Sequence, residues 1–556
     1  MSIQPLEDDQ AYPTLTPHQV EIAKRFASGA ERHFDPHETL FAVGERNAPT
    51  WLVVEGQLNV SRRDAISGDV AITSFGVGQF SGEISQLSGN PALAGGRAGN
   101  NGCTALSFDA SHVRAMLIGA AEIGEIVMRA FIRRRANLIA NGAAGCVLVG
   151  IPGTAEIIRL EGFLRRNGYP NTVLSVVSDG EGAALLDRLG FTKKDLPLVL
   201  CPNGEILKSP EEAAIAACLG ITANIDLMKV YDVAIVGAGP AGLATAVYAG
   251  SEGLEVIVIE QAVAGGQAGA SMRIENYLGF PAGITGQALM ERAINQASKF
   301  GANIVLPLSV AELSSSSTAG RPSFELRVAD GRVVKSRTVV IASGARYRKP
   351  QIPNIDKIDG ADISYWVSPI EAKVCGGEDV TLVGGGNSAG QAIVYLAPQV
   401  RNLNLIVRRP LEETMSTYLI ERIRALENVK IHVGSEIVAL SSTENGKLLS
   451  ASVQNIITKV VNEVPVHHLF LFIGADPNSE WLQSQVAIDD RGFITTGADT
   501  EASFAGTVVL PLETSLTNVF AIGDIRSGST KRVAAAVGEG AAVVSQIHEA
   551  LKRVAP

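Results

Sequence analysis

The sequence predicts a multidomain protein of mixed α/β and α+β class, and three observations lead to this prediction. The chain has 556 residues, which at roughly 150 residues per domain is enough for three or four domains. Its first part carries short runs of alternating polar and apolar residues, typical of antiparallel strands. Two strand, glycine-turn and helix patterns, VGAGPAG at 236–242 and VGGGNSA at 383–389, then predict two parallel α/β units.

Charge and composition favour a cytoplasmic protein that binds neither nucleic acid nor membrane. The formal net charge is −10 with a pI near 5.5; the longest basic run is 133–135, and the others, 408–409 among them, are pairs. No apolar run reaches the ~18 residues that cross a bilayer. The acidic start MSIQPLEDDQ also lacks the basic and apolar regions of a signal peptide.

The five cysteines form no Cys-x-x-Cys motif, so neither a disulfide framework nor a metal site is predicted; they are Cys103, Cys146, Cys201, Cys218 and Cys375. A displaced redox pair of Cys201 and Cys218 is one alternative. We expect instead two small apolar residues, one at a strand end and one in a helix.

Residues 1–142 are predicted to form a β-roll between helices. LTPHQVEIAKRFA offers Thr16 as an N-cap, runs such as TWLVVEGQLNV and CTALSF predict strands, and one helical run over 112–140 closes the segment. LVVEGQLNV and the loop GQFSGEISQLSGNPALA resemble the cyclic-nucleotide-binding domain of bacterial regulators.

That loop departs from the family at one position. Gly82 and Glu83 stand where the family holds the ribose, but the position of the phosphate-binding arginine falls on Ala92. A buried phosphate without a guanidinium loses its strongest contact, and Arg97 would replace it only in a rebuilt loop. Cyclic nucleotide binding is therefore doubtful, and we expect a regulatory or docking domain.

Residues 143–228 are predicted to follow the order β, α, β, α, β, β, α, with a Leu196-Pro197 step before a strand. The segment resembles a thioredoxin or glutaredoxin fold, which implies that this proline is cis. In that fold the reactive cysteines stand at the start of the first helix, but here the site reads Ile151-Pro152-Gly153-Thr154. We expect a docking or linking module.

The first glycine-rich unit predicts a dinucleotide site. Gly237 permits a tight turn, Gly239 lets the backbone approach a pyrophosphate, and Gly242 lets the helix pack on the sheet. The helix N-terminus then faces the phosphates. Glu260 ends the second strand, where an acid accepts hydrogen bonds from a ribose.

The second unit repeats the pattern with Gly384, Gly386 and Ala389. Its second strand ends in Arg408 and Arg409, which suit the 2′-phosphate of NADPH; the alternative is a solvated basic strand end. Two such units, one for FAD and one for NADPH, imply hydride transfer to a flavin.

The motifs VGAGPAG, EQAVAGGQ, IENYLGFP, GGGNSA, VRRP and VFAIGD, in this order, resemble the low-molecular-weight thioredoxin reductases. The resemblance implies a homodimer with an FAD domain at 229–345 and 477–556 and an NADPH domain at 346–476. It implies flavin contacts from Gly237, Gly239, Pro240, Ala241, Gly242, Glu260, Gly266, Gln267, Asn276, Gly523, Asp524 and Arg532, the last beginning a helix. It implies NADPH contacts from Gly384, Gly386, Asn387, Ser388, Ala389, Arg408 and Arg409.

The stretch ISYWVSPIEAKVC lacks the dithiol of that family. Trp366 and Pro369 take the cysteine positions, and neither is a nucleophile. Cys375 is alone, and we expect a structural cysteine at a strand edge in preference to a reactive thiol. Glu371 is either a proton donor or an exposed, salt-bridged carboxylate. We expect Trp366 to wall off the flavin.

Three functions follow as alternatives. The first is an NADPH-dependent FAD oxidoreductase that reduces an external quinone, iron-sulfur protein, oxygen or disulfide, the acceptor being unknown. The second is a flavin-based redox or nucleotide sensor acting through the N-terminal domain. The third is a thioredoxin-disulfide reductase that uses Cys201 and Cys218.

Overall fold

The computed structural model describes residues 10–64, 68–82, 87, 92, 94–140, 146–167, 169, 171–177, 181–201, 205–219, 225–318, 321–355, 358, 362–500 and 509–553. Within these ranges no helix is both long and apolar enough to cross a bilayer. No group of three or more His, Cys, Asp or Glu side chains in the same ranges is arranged to hold a metal ion. Glu83, expected at a ribose, lies outside the described residues.

The N-terminal segment is an antiparallel sheet between helices. Its elements are α1 (Pro17–Lys24), β1 (Arg32–Phe34), β2 (Thr39–Phe41), β3 (Thr50–Asp64), β4 (Gly68–Phe75), β5 (Gly95–Phe108), α2 (Ala110–Gly119) and α3 (Ala121–Ala140). The strands pair in the order β1-β5-β3-β4, and β2 also pairs with β5. Thr16 and Gln19 form a capping box at the start of α1, which confirms the predicted N-cap.

The closing helical run is two helices, so the prediction of one run is wrong. The chain leaves helical geometry at Ala120, where φ is −128° and ψ is 77°. A Cβ on Gly124 would lie 2.6 Å from the carbonyl oxygen of Leu117, so the start of α3 packs closely against the end of α2. The break depends on this packing between turns, which the continuous apolar periodicity conceals.

The next segment has the predicted order of elements. They are β6 (Cys146–Gly150), α4 (Ala155–Arg166), β7 (Asn171–Ser175), α5 (Glu181–Arg188), β8 (Leu198–Leu200), β9 (Ile206–Lys208) and α6 (Glu212–Cys218). The sheet order is β7-β6-β8-β9, with β6 and β7 parallel and the other pairs antiparallel. The Leu196-Pro197 bond is cis, as expected.

Cys201 and Cys218 form a disulfide, so the expectation of two unbonded apolar residues is wrong. Cys201 follows the end of β8 and Cys218 ends α6, and their Cα atoms are 6.2 Å apart. The three other cysteines are free and buried. Sequence spacing did not reveal the pair because the return of α6 across the sheet, rather than any local motif, brings the two residues together.

The first α/β unit contains the first glycine-rich motif, which follows its first strand. Its elements are β10 (Val230–Val236), α7 (Pro240–Ser251), β11 (Val256–Ile259), α8 (Gly266–Gly269), α9 (Gly286–Lys299), β12 (Asn303–Val305), β13 (Val310–Thr318), β14 (Arg321–Val328) and β15 (Val333–Ile341). Strands β12, β11, β10 and β15 are parallel neighbours, whereas β13 and β14 extend the sheet in antiparallel pairing. The parallel strands are almost continuously apolar because helices cover them.

The second unit follows after a short crossing strand. Its elements are β16 (Ala345–Tyr347), β17 (Ile363–Ser364), α10 (Pro369–Val374), β18 (Asp379–Val383), α11 (Asn387–Leu396), β19 (Asn402–Val407), α12 (Thr417–Arg424), β20 (Val429–Val433), β21 (Ser435–Ser442), β22 (Leu448–Asn455), β23 (Val461–Pro465), β24 (His468–Leu471) and β25 (Ala475–Pro477). The parallel sheet has the order β17-β24-β18-β19-β20, and β21, β22 and β23 form a meander.

The chain then returns to the first unit. β25 pairs with β16 at the crossing, β26 (Val519–Ala521) joins the first sheet in parallel beside β15, and α13 (Val533–Arg553) packs against α7. Two separated stretches of chain therefore build one sheet, and the second unit is inserted between them.

Candidate functional site

A cavity of about 420 Å³ opens at the carboxyl end of β10. Gly237 has φ +108°, and a Cβ there would lie 2.3 Å from the carbonyl oxygen of Ala342. A Cβ on Gly242 would lie 2.0 Å from the carbonyl oxygen of Gly237, whereas Gly239 faces open space. Pro240 and Ala241 begin α7 in the same wall. The turn is thus closed to side chains on two sides and open on the side where a pyrophosphate would approach the helix N-terminus.

Glu260 is the buried acid of this cavity. Its carboxylate accepts hydrogen bonds from the N–H groups of Ala238 at 2.8 Å and Ala262 at 3.0 Å. Burial raises the pKa of Glu260, and the backbone donors act in the opposite direction. These bonds fix the carboxylate beside the glycine turn, where a ribose hydroxyl would reach it.

The far end of the cavity carries a buried acid and a lysine. Burial raises the pKa of Asp524, and the positive charge of Lys531 opposes that shift. The Lys531 ammonium donates to the backbone oxygen of Asp524 at 2.6 Å. Burial, together with the charge of Asp524, raises the pKa of Tyr347 to about 12. Gly523, which follows β26, and Arg532, which directly precedes α13, line the same end.

Most of the predicted flavin residues lie in this wall, but Gly242 and Asn276 do not. Gly266 and Gln267 line the cavity, and the Gln267 amide donates to the carbonyl of Ala345. Asn276 is exposed and outside the cavity lining. The sequence reasoning missed Lys531, Tyr347 and Asn478 in the wall. Of these three residues, only Lys531 could have been found from the sequence, because it directly precedes Arg532.

The second glycine turn has the same geometry as the first. Gly384 has φ +142°, and a Cβ there would lie 2.4 Å from the carbonyl oxygen of Phe472, whereas Gly386 faces open space. Ala389 is buried in α11. Asn387 is used within the protein, since its side-chain oxygen accepts from the Ser416 N–H at 2.7 Å. Ser388 lines the cavity beside the first glycine turn.

Arg408 and Arg409 stand exposed directly after β19. Arg409 lies 3.8 Å from the carboxylate of Glu413. Among the described residues, no carboxylate pairs with Arg408. The Arg408 guanidinium is thus open to an anion at the strand end, whereas Arg409 beside it is paired with Glu413.

Trp366 lies in the wall of the cavity at the carboxyl end of β10, which we name the flavin cavity after its predicted cofactor, and is held by Glu371. The indole N–H donates to Glu371 Oε1 at 3.1 Å, and the Ser368 N–H donates to Glu371 Oε2 at 2.8 Å. The expectation of an exposed, salt-bridged Glu371 is wrong, because the side chain is buried and both oxygens are hydrogen-bonded. The Trp366 ring packs against Tyr347 with centroids 6.5 Å apart. Glu371 therefore positions the indole.

Cys375 is a buried thiol that directly follows α10, not a cysteine at a strand edge. Burial raises its pKa to about 11, so the thiolate is scarce at neutral pH. It is 0% exposed, and its sulfur points to the carbonyl of Ala372. The geometry is that of a structural residue.

The first unit carries a glycine turn and a buried acid, and the second carries a glycine turn whose Ser388 lines the same cavity. Together these features define a nicotinamide- and flavin-dependent oxidoreductase. The chain belongs to the pyridine nucleotide-disulphide oxidoreductase family, whose sequence profile matches residues 231–540. The profile of the cyclic nucleotide-binding domain matches residues 31–118, which confirms the predicted fusion.

Several proteins that are similar to this chain are thioredoxin reductases. The chain is similar to the enzyme of Bacillus subtilis, with 29% identity over 321 residues, 58% of this chain and 94% of that one. It is 31% identical over 318 residues to the enzyme of Mycolicibacterium smegmatis, covering 56% and 94%. The solved thioredoxin reductase of T. acidophilum has a TM-score of 0.52 at 25% identity and covers 57% of this chain and 98% of that one. This family uses FAD and NADPH, as predicted.

Proposed function

We propose that this protein passes a hydride from NADPH through FAD to an external acceptor without an internal dithiol. The observation that carries the proposal is the wall of the flavin cavity, where Trp366 stands in place of a thiol. The thiol nearest in sequence, Cys375, is buried with a raised pKa. Bound FAD would then be the two-electron store of the site, and the acceptor would have to reach it directly.

The protein groups have distinct roles in this proposal. Glu260 would hold the FAD ribose, and the first turn of α7 would face the pyrophosphate. Asp524 and Lys531 would hold the flavin end, and Arg408 and Arg409 would bind the 2′-phosphate of NADPH. Glu371 would keep Trp366 against the cavity and limit the access of water.

The proposal also carries the domain arrangement. It assigns 229–345 and 477–556 to the FAD domain and 346–476 to the NADPH domain of a homodimer. It assigns 1–142 to the cyclic-nucleotide-binding-like domain and 143–228 to a thioredoxin-like linking module. The element order and the parallel and antiparallel pairing of β6 to β9 support the last assignment.

Anaerobic reduction by NADPH is expected to bleach the flavin without creating thiols. Denatured protein should release three titratable thiols before reduction, from Cys103, Cys146 and Cys375, and three after it. The measurement is a thiol count with Ellman's reagent on enzyme quenched in denaturant. A double variant, Cys201→Ser with Cys218→Ser, is the control and should give three thiols in both states.

A thiol relay is the second candidate function, and the Cys201–Cys218 disulfide favours it. The disulfide shares a hydrophobic cluster with Val263 and Ala262, which also line the flavin cavity. Cys201 is 0% exposed and Cys218 is half-buried, so a substrate disulfide could reach the pair only through Cys218. A count that rises from three to five thiols, and only in the wild type, would establish the relay and reject the proposal.

The acceptor is to be found by steady-state oxidation of NADPH. A quinone, an iron-sulfur protein, oxygen and a small disulfide are supplied in turn to the holoenzyme. Turnover with at least one of them, at an unchanged thiol count, is the expected result. A flavin that bleaches with NADPH but is restored by none of them contradicts the proposal.

The N-terminal domain is expected not to bind cyclic AMP. Ala92 is buried, and Arg97 is exposed on β5 opposite Thr39 and Asn59, so neither supplies a guanidinium to a buried phosphate. At a concentration of 100 times Kd, a ligand stabilises by about 2.7 kcal/mol, which thermal unfolding detects. NADP⁺ is the positive control for the same preparation. A rise in Tm with cyclic AMP would refute this expectation.

A further inference from the structure

A second cavity, of about 430 Å³, adjoins the flavin cavity. Helix α4 of the thioredoxin-like segment forms one side, and the chain after α8 and the Trp366 segment form the others. The two cavities share six lining residues: Arg166, Gly269, Ala270, Ser271, Gln287 and Trp366. A molecule in the second cavity would therefore lie next to the flavin site, against a wall that includes a guanidinium and an indole.

Arg166 is the free cation at this boundary. Its guanidinium carbon lies 5.7 Å from the centroid of the Trp366 ring, and its Nε donates to the carbonyl of Gly162 at 3.1 Å. In the part of the chain that the structure describes, Arg166 has no carboxylate partner, and it is exposed. Both terminal nitrogens are therefore available to an anion.

The other charges of this cavity are already matched. Arg165 pairs with Glu161 at 2.9 Å, and Arg159 lies 3.9 Å from Glu212. Glu371 is hydrogen-bonded to Trp366 and Ser368. Burial lowers the pKa of His468, which is therefore neutral at pH 7. The cavity is left with one unmatched positive charge at its inner end.

The remaining walls are mostly apolar and partly aromatic, with the uncharged polar side chains of Ser271, Thr285, Gln287, Ser364 and Ser368 among them. Trp366, Phe470, Met272 and Ile158 line the cavity. Its volume is in the range that holds a small molecule and excludes a folded protein. Flat aromatic walls with one cation select a planar ligand that carries one anionic group.

We infer that this cavity is the acceptor site and that it takes a planar quinone bearing an anionic group, which Arg166 anchors beside Trp366. The inference rests on the proposed function. In the net reaction, NADPH loses a hydride to become NADP⁺. The quinone gains two electrons through the flavin and two protons, one released from NADPH and one from solvent, to become a hydroquinone. The thioredoxin-like segment, which has no reactive cysteine at the start of its first helix, thus supplies a substrate-binding residue instead.

The test compares a naphthoquinone sulfonate with uncharged naphthoquinone. Equilibrium dialysis against the oxidised holoenzyme, without NADPH, measures binding of each. The sulfonate is expected to bind about tenfold more tightly than the uncharged quinone, because it can form a charge-assisted hydrogen bond with Arg166. Arg166→Gln should abolish this preference and Arg166→Lys should keep most of it. Arg188→Gln, an exposed arginine at the end of α5, is the matched control and should keep it fully.

Two results overturn the inference: equal binding of the two quinones by the wild type, or a preference that persists in Arg166→Gln. The wild-type comparison stands even if a variant folds poorly. Dialysis reports on the cavity whether or not turnover occurs. Failure of the proposed function, seen as no NADPH oxidation with any acceptor, is therefore distinct from failure of this inference.

Discussion

Gly540→Ala is expected to yield a destabilised protein that loses its FAD. Gly540 lies in α13 where this helix crosses α7, and a Cβ there would lie 2.4 Å from the carbonyl oxygen of Ala241 and 2.8 Å from the Cβ of Ala244. The nearest atom is backbone, so the contact is relieved only if the helices separate. The carbonyl of Gly540 also accepts from the Thr245 hydroxyl at 3.2 Å.

Separation of these helices would disturb the first turn of α7, which under the proposed function would face the pyrophosphate of bound FAD. Overpacking of this kind costs about 1 to 3 kcal/mol, and loss of the bound cofactor would lower the apparent stability further. The measurements are the ratio of flavin to protein absorbance and the free energy of unfolding in urea.

Gly538→Ala is the matched control, two residues away in the same helix. A Cβ at Gly538 meets nothing within 4 Å, and alanine is favoured over glycine in a helix by up to about 1 kcal/mol. This variant should keep its FAD and be as stable as the wild type or more so. Full flavin content and unchanged stability in Gly540→Ala would show that the close approach of α13 to α7 is not required.

The double variant Arg408→Gln with Arg409→Gln is expected to lose its preference for NADPH. Each hydrogen bond to a charged group contributes about 1.5 to 3 kcal/mol, so the KM for NADPH should rise by about 10- to 100-fold or more. The KM for NADH should change little, because NADH has no 2′-phosphate for these side chains to bind.

The measurement is steady-state kinetics with both nucleotides and one acceptor. Arg401→Gln is the control, since Arg401 precedes β19 at the opposite end of the strand and pairs with Glu378 and Asp379. It should leave the ratio of the two KM values unchanged. Equal effects of the double variant on NADPH and NADH would mean that the two arginines form only a solvated strand end.

Features that depend on neighbouring residues could be predicted from the sequence. The capping box at Thr16 needs only two residues three apart, and each glycine turn needs only a strand, a spacing and a helix. Glu260 and Arg408 follow their strands directly, so their places at the carboxyl edge followed from the strand assignments. The absence of cysteine from 366–369 is likewise visible directly in the sequence.

Features that depend on how elements pack together, whether these are distant or close in sequence, could not be predicted in this way. The Cys201–Cys218 bond needs the return of α6, and the break at Ala120 needs the contact between Leu117 and Gly124. Glu371 is buried because it accepts from the indole of Trp366.

The sequence by itself determined the two glycine-rich turns and the absence of a Cys-x-x-Cys motif, because each is a pattern of contiguous residues. Only the tertiary structure decided what surrounds the flavin cavity. Arg166 comes from a segment whose motifs concern another fold, and no local pattern relates it to Trp366. Their contact exists because α4 shares an apolar cluster with Val263 of the first unit and a cavity with Trp366, and such long-range packing follows from the whole apolar surface of a fold rather than from any single stretch of it.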